Sequence, residues 1–158
     1  MIHPRELDNV SCLAMLSVEE RAALALRMIE IPVLPGQDIL REGSPSSAAF
    51  VLLDGQLSVR KRLVVSGQPY ELPGILPVGE WFGLVSVLDG APASARVRAV
   101  TAARLGAIGK EDFEALIRSG DPVGPKLLRA WLSSIADQLQ RVNESVLMLR
   151  LFLEQNKL

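Results

Sequence analysis

Glycines at 43, 55, 67, 79 and 90 follow one another at spacings of 12, 12, 12 and 11 residues. That interval limits what the middle of the chain can become. Around and between them lie short apolar runs: "AAFVLL", "QLSVRKRLVV", "ELPGIL", "ARVRAV" and "ARLGAI". A turn signal roughly every 8–12 residues gives many short strands, the pattern of an antiparallel sandwich, jelly roll or barrel. Asp-Gly at 54–55 and again at 89–90 supplies turn dipeptides. The strand region is expected over residues 31–109. "RKR" at 60–62 reads as a solvated strand edge, since three charges are too few to argue for nucleic acid.

On either side the period changes. Residues 1–30 are expected to be helical. "SVEE" at 17–20 is a capping box in which Ser17 caps and Glu20 reaches back, and Leu24, Leu26, Met28 and Ile29 supply an apolar surface behind it. Residues 110–158 return to helix. "KEDFEALIRSG" has acids in its first turn, Arg118 in its last and Gly120 after it. "DPVGP" then interrupts the chain. A second helix is predicted from about Pro125 to Lys157. In it Leu128, Leu132, Ile135, Leu139, Val142, Val146, Leu149 and Leu153 are spaced 4, 3, 4, 3, 4, 3, 4, a heptad seam. Such a helix is roughly 50 Å long at 1.5 Å per residue, more than a small β-domain can cover. The seam predicts a homodimer, and the competing reading is a helix lying on its own sheet. Few charges flank the seam, so charge pairing does not specify the partner.

The chain has 158 residues, 49% hydrophobic and 22% charged, with a net charge of −1. One packed domain over 1–158 is expected. The near-neutral charge removes the electrostatic footprint of a nucleic-acid binder. The single cysteine, Cys12, excludes an internal disulfide and fits a reducing cytoplasm. Its expected role is a small buried hydrophobe. No apolar run approaches the roughly 20 residues of a membrane span. With one histidine, His3, a catalytic triad or a His-based metal site has little to work with. No catalytic residue, metal site or cofactor is expected.

Helix, β-domain, short helix and long helix, in that order, resemble the plan of a cyclic nucleotide-binding domain. "LPGQDILREGSPSSAAFVLLDGQLSV" at 34–59 is similar to that family's opening strands, with Gly36, Gly43 and Gly55 at turns. "LPVGEWFGLVSVLDGAPASARVRA" at 76–99 resembles its phosphate-binding cassette and next strand, and "LGAIGKEDFEAL" at 105–116 its exit strand and helix. The resemblance covers about residues 17–150 and is closest in layout to the sensor halves of catabolite activators. It implies an α+β fold: a β-roll or jelly roll of about eight antiparallel strands, flanked by N-terminal helices and a long C-terminal dimerisation helix.

In that family a Gly lets the backbone approach a phosphate, a Glu directly after it takes the ribose hydroxyl, and an Arg after a proline neutralises the phosphate. Here Gly83, Pro92, Ser94 and Ala95 match, but Leu84 stands in place of the Glu and Ala93 in place of the Arg. Two missing charge-assisted hydrogen bonds, each worth about 1.5–3 kcal/mol, weaken binding roughly 10²- to 10⁴-fold. The candidate pocket is Phe82, Gly83, Leu84, Ala93, Ser94, Ala95, Arg96 and Asn143. Strand alternation sets Val97 and Ala99 inward and Arg96 and Arg98 outward; a bend after Pro92 is what would bring Arg96 to the phosphate. Ser94 is either a neutral donor to a ligand or a turn cap. The resemblance puts Val142 and Asn143 at the base-reading end. Asn143 fits a base edge, a symmetry mate or water equally well.

In catabolite activators a helix-turn-helix domain follows the dimer helix. Here the sequence ends at Leu158, so neither a DNA-reading domain nor a nucleic-acid partner is expected. The expected function is a stand-alone, non-catalytic regulatory or interaction module in the cytoplasm, dimeric, with a second signalling protein as partner and no cyclic AMP binding of the usual kind. The alternative is a sensor of a different small ligand that repositions the C-terminal helix.

Overall fold

The computed structural model describes residues 2–155, without the side chains of Val65, Leu72, Leu149 and Leu153. The chain opens with two 3₁₀ turns, Pro4–Asn9 and Ser11–Leu13, where α-helix was expected. Pro4 sits at the first helical position and His3 caps it. Val10, extended at φ −91° and ψ 95°, separates the two turns. Helix α1 is Val18–Arg27, with the Ser17/Glu20 capping box formed as predicted.

Strands β1 (Ile29–Val33), β2 (Asp38–Leu40), β3 (Ala48–Asp54), β4 (Leu57–Val65), β5 (Gln68–Leu76), β6 (Trp81–Phe82), β7 (Arg96–Ala99) and β8 (Ala103–Gly109) follow, with helix α2 (Leu84–Leu88) between β6 and β7. Helices α3 (Lys110–Arg118) and α4 (Val123–Gln155) close the chain. The expected continuation of α4 to Lys157 lies outside the described residues. The eight strands form two antiparallel sheets, ordered β1-β8-β3-β6 and β2-β7-β4-β5. This is the jelly-roll-like α+β fold that the resemblance implied.

The two sheets differ in what covers them. The β1-β8-β3-β6 sheet is buried on both faces. Ala49, Val51 and Ile108 enter a core with Leu7, Leu24, Phe113, Leu127 and Trp131 from the helical layer. Phe50, Leu52, Leu105 and Ala107 enter a second core with Leu57, Val97 and Ala99 from the other sheet. A strand with two dry faces needs no polar residue between its ends, which is why "AAFVLL" lacks alternation. In the β2-β7-β4-β5 sheet, β7 alternates, and the far ends of β4 and β5 are exposed on both faces. Val97 and Ala99 are buried, whereas Arg98 is exposed and Arg96 half-exposed, as parity required.

Two expectations at α1 are corrected. Leu24 and Met28 are buried, but Leu26 is 74% and Ile29 64% exposed. The helix ends at Arg27, and Ile29 already belongs to edge strand β1, so a single helical face does not carry all four residues. Strand structure therefore begins at Ile29, not Ile31. Helix α4 starts at Val123, two residues before the predicted Pro125, with the Asp121 carboxylate accepting from the Val123 amide at 2.9 Å. Cys12 is half-buried, and burial pushes its thiol pKa up. Among the described residues no helix is long and apolar enough to cross a membrane.

Gly55 holds the β3–β4 turn at φ +95°, and a Cβ there would lie 2.5 Å from the Ala102 carbonyl oxygen and 2.7 Å from the Ala103 Cα. Gly67 has φ +79° but open space around it. Gly55→Ala is therefore expected to lower thermal stability by several degrees, and clearly more than Gly67→Ala, because only the first adds a backbone collision to the left-handed strain of roughly 1–3 kcal/mol. Thermal unfolding of both variants checks the order.

Candidate ligand cavity

The cassette hangs from β6, whose two side chains point opposite ways. Trp81 joins the helix-side core, its ring centroid 5.3 Å from Trp131 of α4. Phe82 joins the inter-sheet core and stacks on Phe50 at 5.3 Å. Gly83 then turns the chain at φ +74° and starts α2. A Cβ on it would come within 3.0 Å of the Ala48 carbonyl oxygen, so the position combines positive φ with close packing. The helix ends after Leu88. The Asp89 side chain accepts from the Ala91 amide at 2.8 Å and Gly90 reverses the chain at φ +78°. Ala93 is pinned to the turn before β3: its amide donates to Ser44 O at 2.9 Å and its carbonyl accepts from the Gly43 amide at 2.8 Å.

An open cavity of about 1030 Å³ lies between this cassette, the inner edge of β5 and one side of α4. Of the predicted pocket residues, Phe82, Gly83, Leu84, Ala93, Ser94 and Ala95 line it; Arg96 and Asn143 do not. Leu84 and Ala93 are buried, 4% and 5% exposed, so their side chains are wall. The Ala93 amide, committed to Ser44, is not available to a ligand. Among the described residues, the amide and hydroxyl of Ser94 have no hydrogen-bond partner.

Arg96 points to the far face of its sheet. Its Nε and Nη2 donate to the two oxygens of Asp38 at 2.9 and 3.1 Å. Arg98 adds a bond to the same carboxylate at 2.8 Å, and Arg41 lies 3.5 Å from it. Hydrogen bonding from Arg96 is the main reason the Asp38 carboxyl is held at about 2 instead of 3.8; burial opposes it and Arg98 assists. The same pairing raises the pKa of Arg96. Asn143 is exposed on α4.

Several lining residues were not anticipated. Glu80 and Arg141 are the charged residues of the wall, and Arg141 Nη2 donates to Glu80 Oε1 at 2.9 Å. Gln138 reaches the Trp81 carbonyl oxygen at 3.5 Å. Ile135, Val142 and Val146 of the heptad seam line the cavity too. Glu80 was visible only as an acid near the cassette, and its partner lies 61 residues further along the chain. Helix α4 thus has two adjacent apolar faces. Leu127, Ala130 and Trp131 pack on the roll. On the seam, Leu128 and Ile135 are half-buried, while Leu132, Leu139, Val142 and Val146 are each more than half exposed. The side chains of Leu149 and Leu153 are outside the described residues. Among the described residues no group of His, Cys, Asp and Glu could hold a metal ion.

Residues 30–119 match the cyclic nucleotide-binding domain family. The chain belongs to that family. It is 28% identical over 117 residues to a cAMP-dependent protein kinase regulatory subunit of Pyricularia oryzae, a match that covers 74% of this chain and 29% of that one. It is similar in structure to the catabolite activator protein of Thermus thermophilus, with TM-score 0.73 and 25% identity over 88% of this chain and 62% of that one. A cyclic nucleotide-binding domain from Methylobacillus flagellatus shares the fold at TM-score 0.79 and 20% identity, covering 90% of this chain and 79% of that one. The chain thus spans under a third of the kinase subunit it matches.

The Asp38 cluster has a pH signature. A carboxyl whose folded-state pKa is depressed contributes stability that is fully present above its unfolded pKa and lost as the pH falls through its folded one. For Asp38 that window runs from 3.8 down to about 2. Asp38→Asn is expected to melt a few degrees lower than the unmodified chain at neutral pH, and the gap is expected to shrink across that window, as read by thermal unfolding in a pH series.

Proposed function

We propose that this chain is a non-catalytic regulatory module of the cyclic nucleotide-binding type, that its cavity does not take a cyclic phosphate in the family's manner, and that α4 is its output surface, paired with a second copy. The observation that carries this reading is Ala93 in the cavity wall, with Arg96, the next arginine along the chain, turned away onto Asp38. A phosphate entering here meets one cation in the cavity wall, Arg141, already held by Glu80, and burying an anion without a free one is unfavourable. Leu84, also in the wall, offers no acceptor to a ribose hydroxyl. The residues present do not fit a cyclic nucleotide.

The dimer reading rests on α4. Leu132, Leu139, Val142 and Val146 are each more than half exposed along one side of the helix, and a row of exposed apolar side chains of this kind marks an interaction surface. A further partner of signalling type is in keeping with the likeness to a kinase regulatory subunit. A second reading, a sensor of another small ligand, is favoured by one observation: the cavity is open and not filled by Leu84 or by neighbouring side chains.

Cyclic AMP or cyclic GMP at about 1 mM is expected to leave the thermal midpoint unchanged, whereas a ligand at 100 times its Kd adds about 2.7 kcal/mol. Leu84→Glu combined with Ala93→Arg is expected to gain at least about 10² in cyclic AMP affinity, read by calorimetry. A midpoint shift in the unmodified chain defeats the proposal. Leu139→Asp is expected to convert a dimer to a monomer in sedimentation analysis without loss of the folded signal, because Leu139 touches no core.

A further inference from the structure

We infer that the cavity is a binding site for an uncharged, largely apolar organic molecule that carries one hydrogen-bond acceptor, seated at Ser94. This rests on the sensor reading above and gives that ligand its chemistry.

Three observations converge on it. The first is charge. Glu80 and Arg141 are the charged side chains of the wall, and they are bonded to each other at 2.9 Å. An ionic ligand of either sign must break that pair or go without a counter-ion. Outside the wall, Arg96 is held by both oxygens of Asp38, and turning it inward costs two hydrogen bonds and reverses strand parity. The second is surface. Leu40, Phe82, Leu84 and Val97 face the space from the roll, and Ile135 and Val142 face it from α4. Apolar walls on both sides reward removal of apolar ligand surface from water, and these six residues offer no hydrogen bond to a sugar's hydroxyls. The third is the placement of free polarity. Ser94 lines the cavity with an amide and a hydroxyl that have no partner among the described residues, beside an Ala93 amide already bonded to Ser44. Two donors at one end of an apolar chamber fit a carbonyl, ether or hydroxyl oxygen at one end of the ligand. A cavity of about 1030 Å³ is ample for a small molecule of this kind.

The test uses the whole chain and N-phenyl-1-naphthylamine, an uncharged fluorophore that brightens in apolar surroundings. The expected result is a saturable rise with a single probe bound per chain. Ser94→Trp fills the cavity from an exposed position and is expected to weaken the probe at least about tenfold with the thermal midpoint retained. Ala93→Arg, which sets a cation in the wall, is expected to weaken it as well; Ser94→Trp keeps the test decisive if that variant does not fold. Leu147→Glu and Leu151→Glu, on exposed α4 positions outside both seam and cavity, are expected to leave probe binding unchanged. A probe signal that does not saturate, or that Leu151→Glu removes and Ser94→Trp does not, overturns the inference. So does absence of binding; if cyclic nucleotides also leave the midpoint unchanged and the dimer persists, the regulatory-module reading stands and this inference alone fails. Displacement of the probe by cyclic AMP overturns both.

Discussion

The arrangement depends on one sheet that is dry on both faces. Strands β3 and β8 run through the middle of the molecule, and successive side chains along them enter different cores. Phe50 and Val51 are neighbours in sequence and belong to opposite sides, as do Ala107 and Ile108. Gly106 shows how tight the helix-side contact is: a Cβ there would lie 2.8 Å from both Ile2 Cδ1 and Met28 Cε. With both faces occupied, a one-residue slip of register moves every side chain into the wrong core. The cassette inherits this rigidity. It begins immediately after β6, where Trp81 is sealed into one core and Phe82 into the other, so Gly83 starts from a fixed point.

From that fixed point the path of the cassette is set by its backbone. The positive φ of Gly83 and Gly90, the short α2 and the loop tied to Ser44 and Gly43 are all set by backbone geometry. None of these features requires an arginine or a glutamate in the cavity. Shape and chemistry are therefore separable here, and the roll can persist whatever fills it. The basic residues of β7 serve the opposite face, where Arg96 and Arg98 close on Asp38 and tie β7 to β2.

Much of this was legible in the sequence, for reasons that differ by element. The glycine interval marked real turns: Gly43, Gly55, Gly67, Gly79 and Gly90 all have positive φ. Strand parity at β7 gave the direction of Arg96 correctly because a strand has only two faces. The heptad seam survived as an exposed strip of α4. What the sequence could not carry was the relation between distant segments. Nothing local pairs Glu80 with Arg141 or Asp38 with Arg96. The face of α4 that meets the roll, with Leu127, Ala130 and Trp131, was hidden beside the stronger seam pattern. The apolar run around Leu26 and Ile29 misled because composition does not say where a helix gives way to an edge strand.

Trp81 and Trp131 are the two tryptophans of the chain, and they touch each other. Their contact is the joint between the strand that carries the cassette and the helix that carries the seam. Phe113 of α3 stacks on Trp131 from another side at 4.5 Å, completing an aromatic hinge-plate of three rings. Tryptophan emission from the unmodified protein, excited selectively beyond the absorption of Tyr70, therefore originates at that joint. Any rotation of α4 against the roll would change the distance or angle between the two indoles, so the molecule carries its own optical gauge of how that helix is seated.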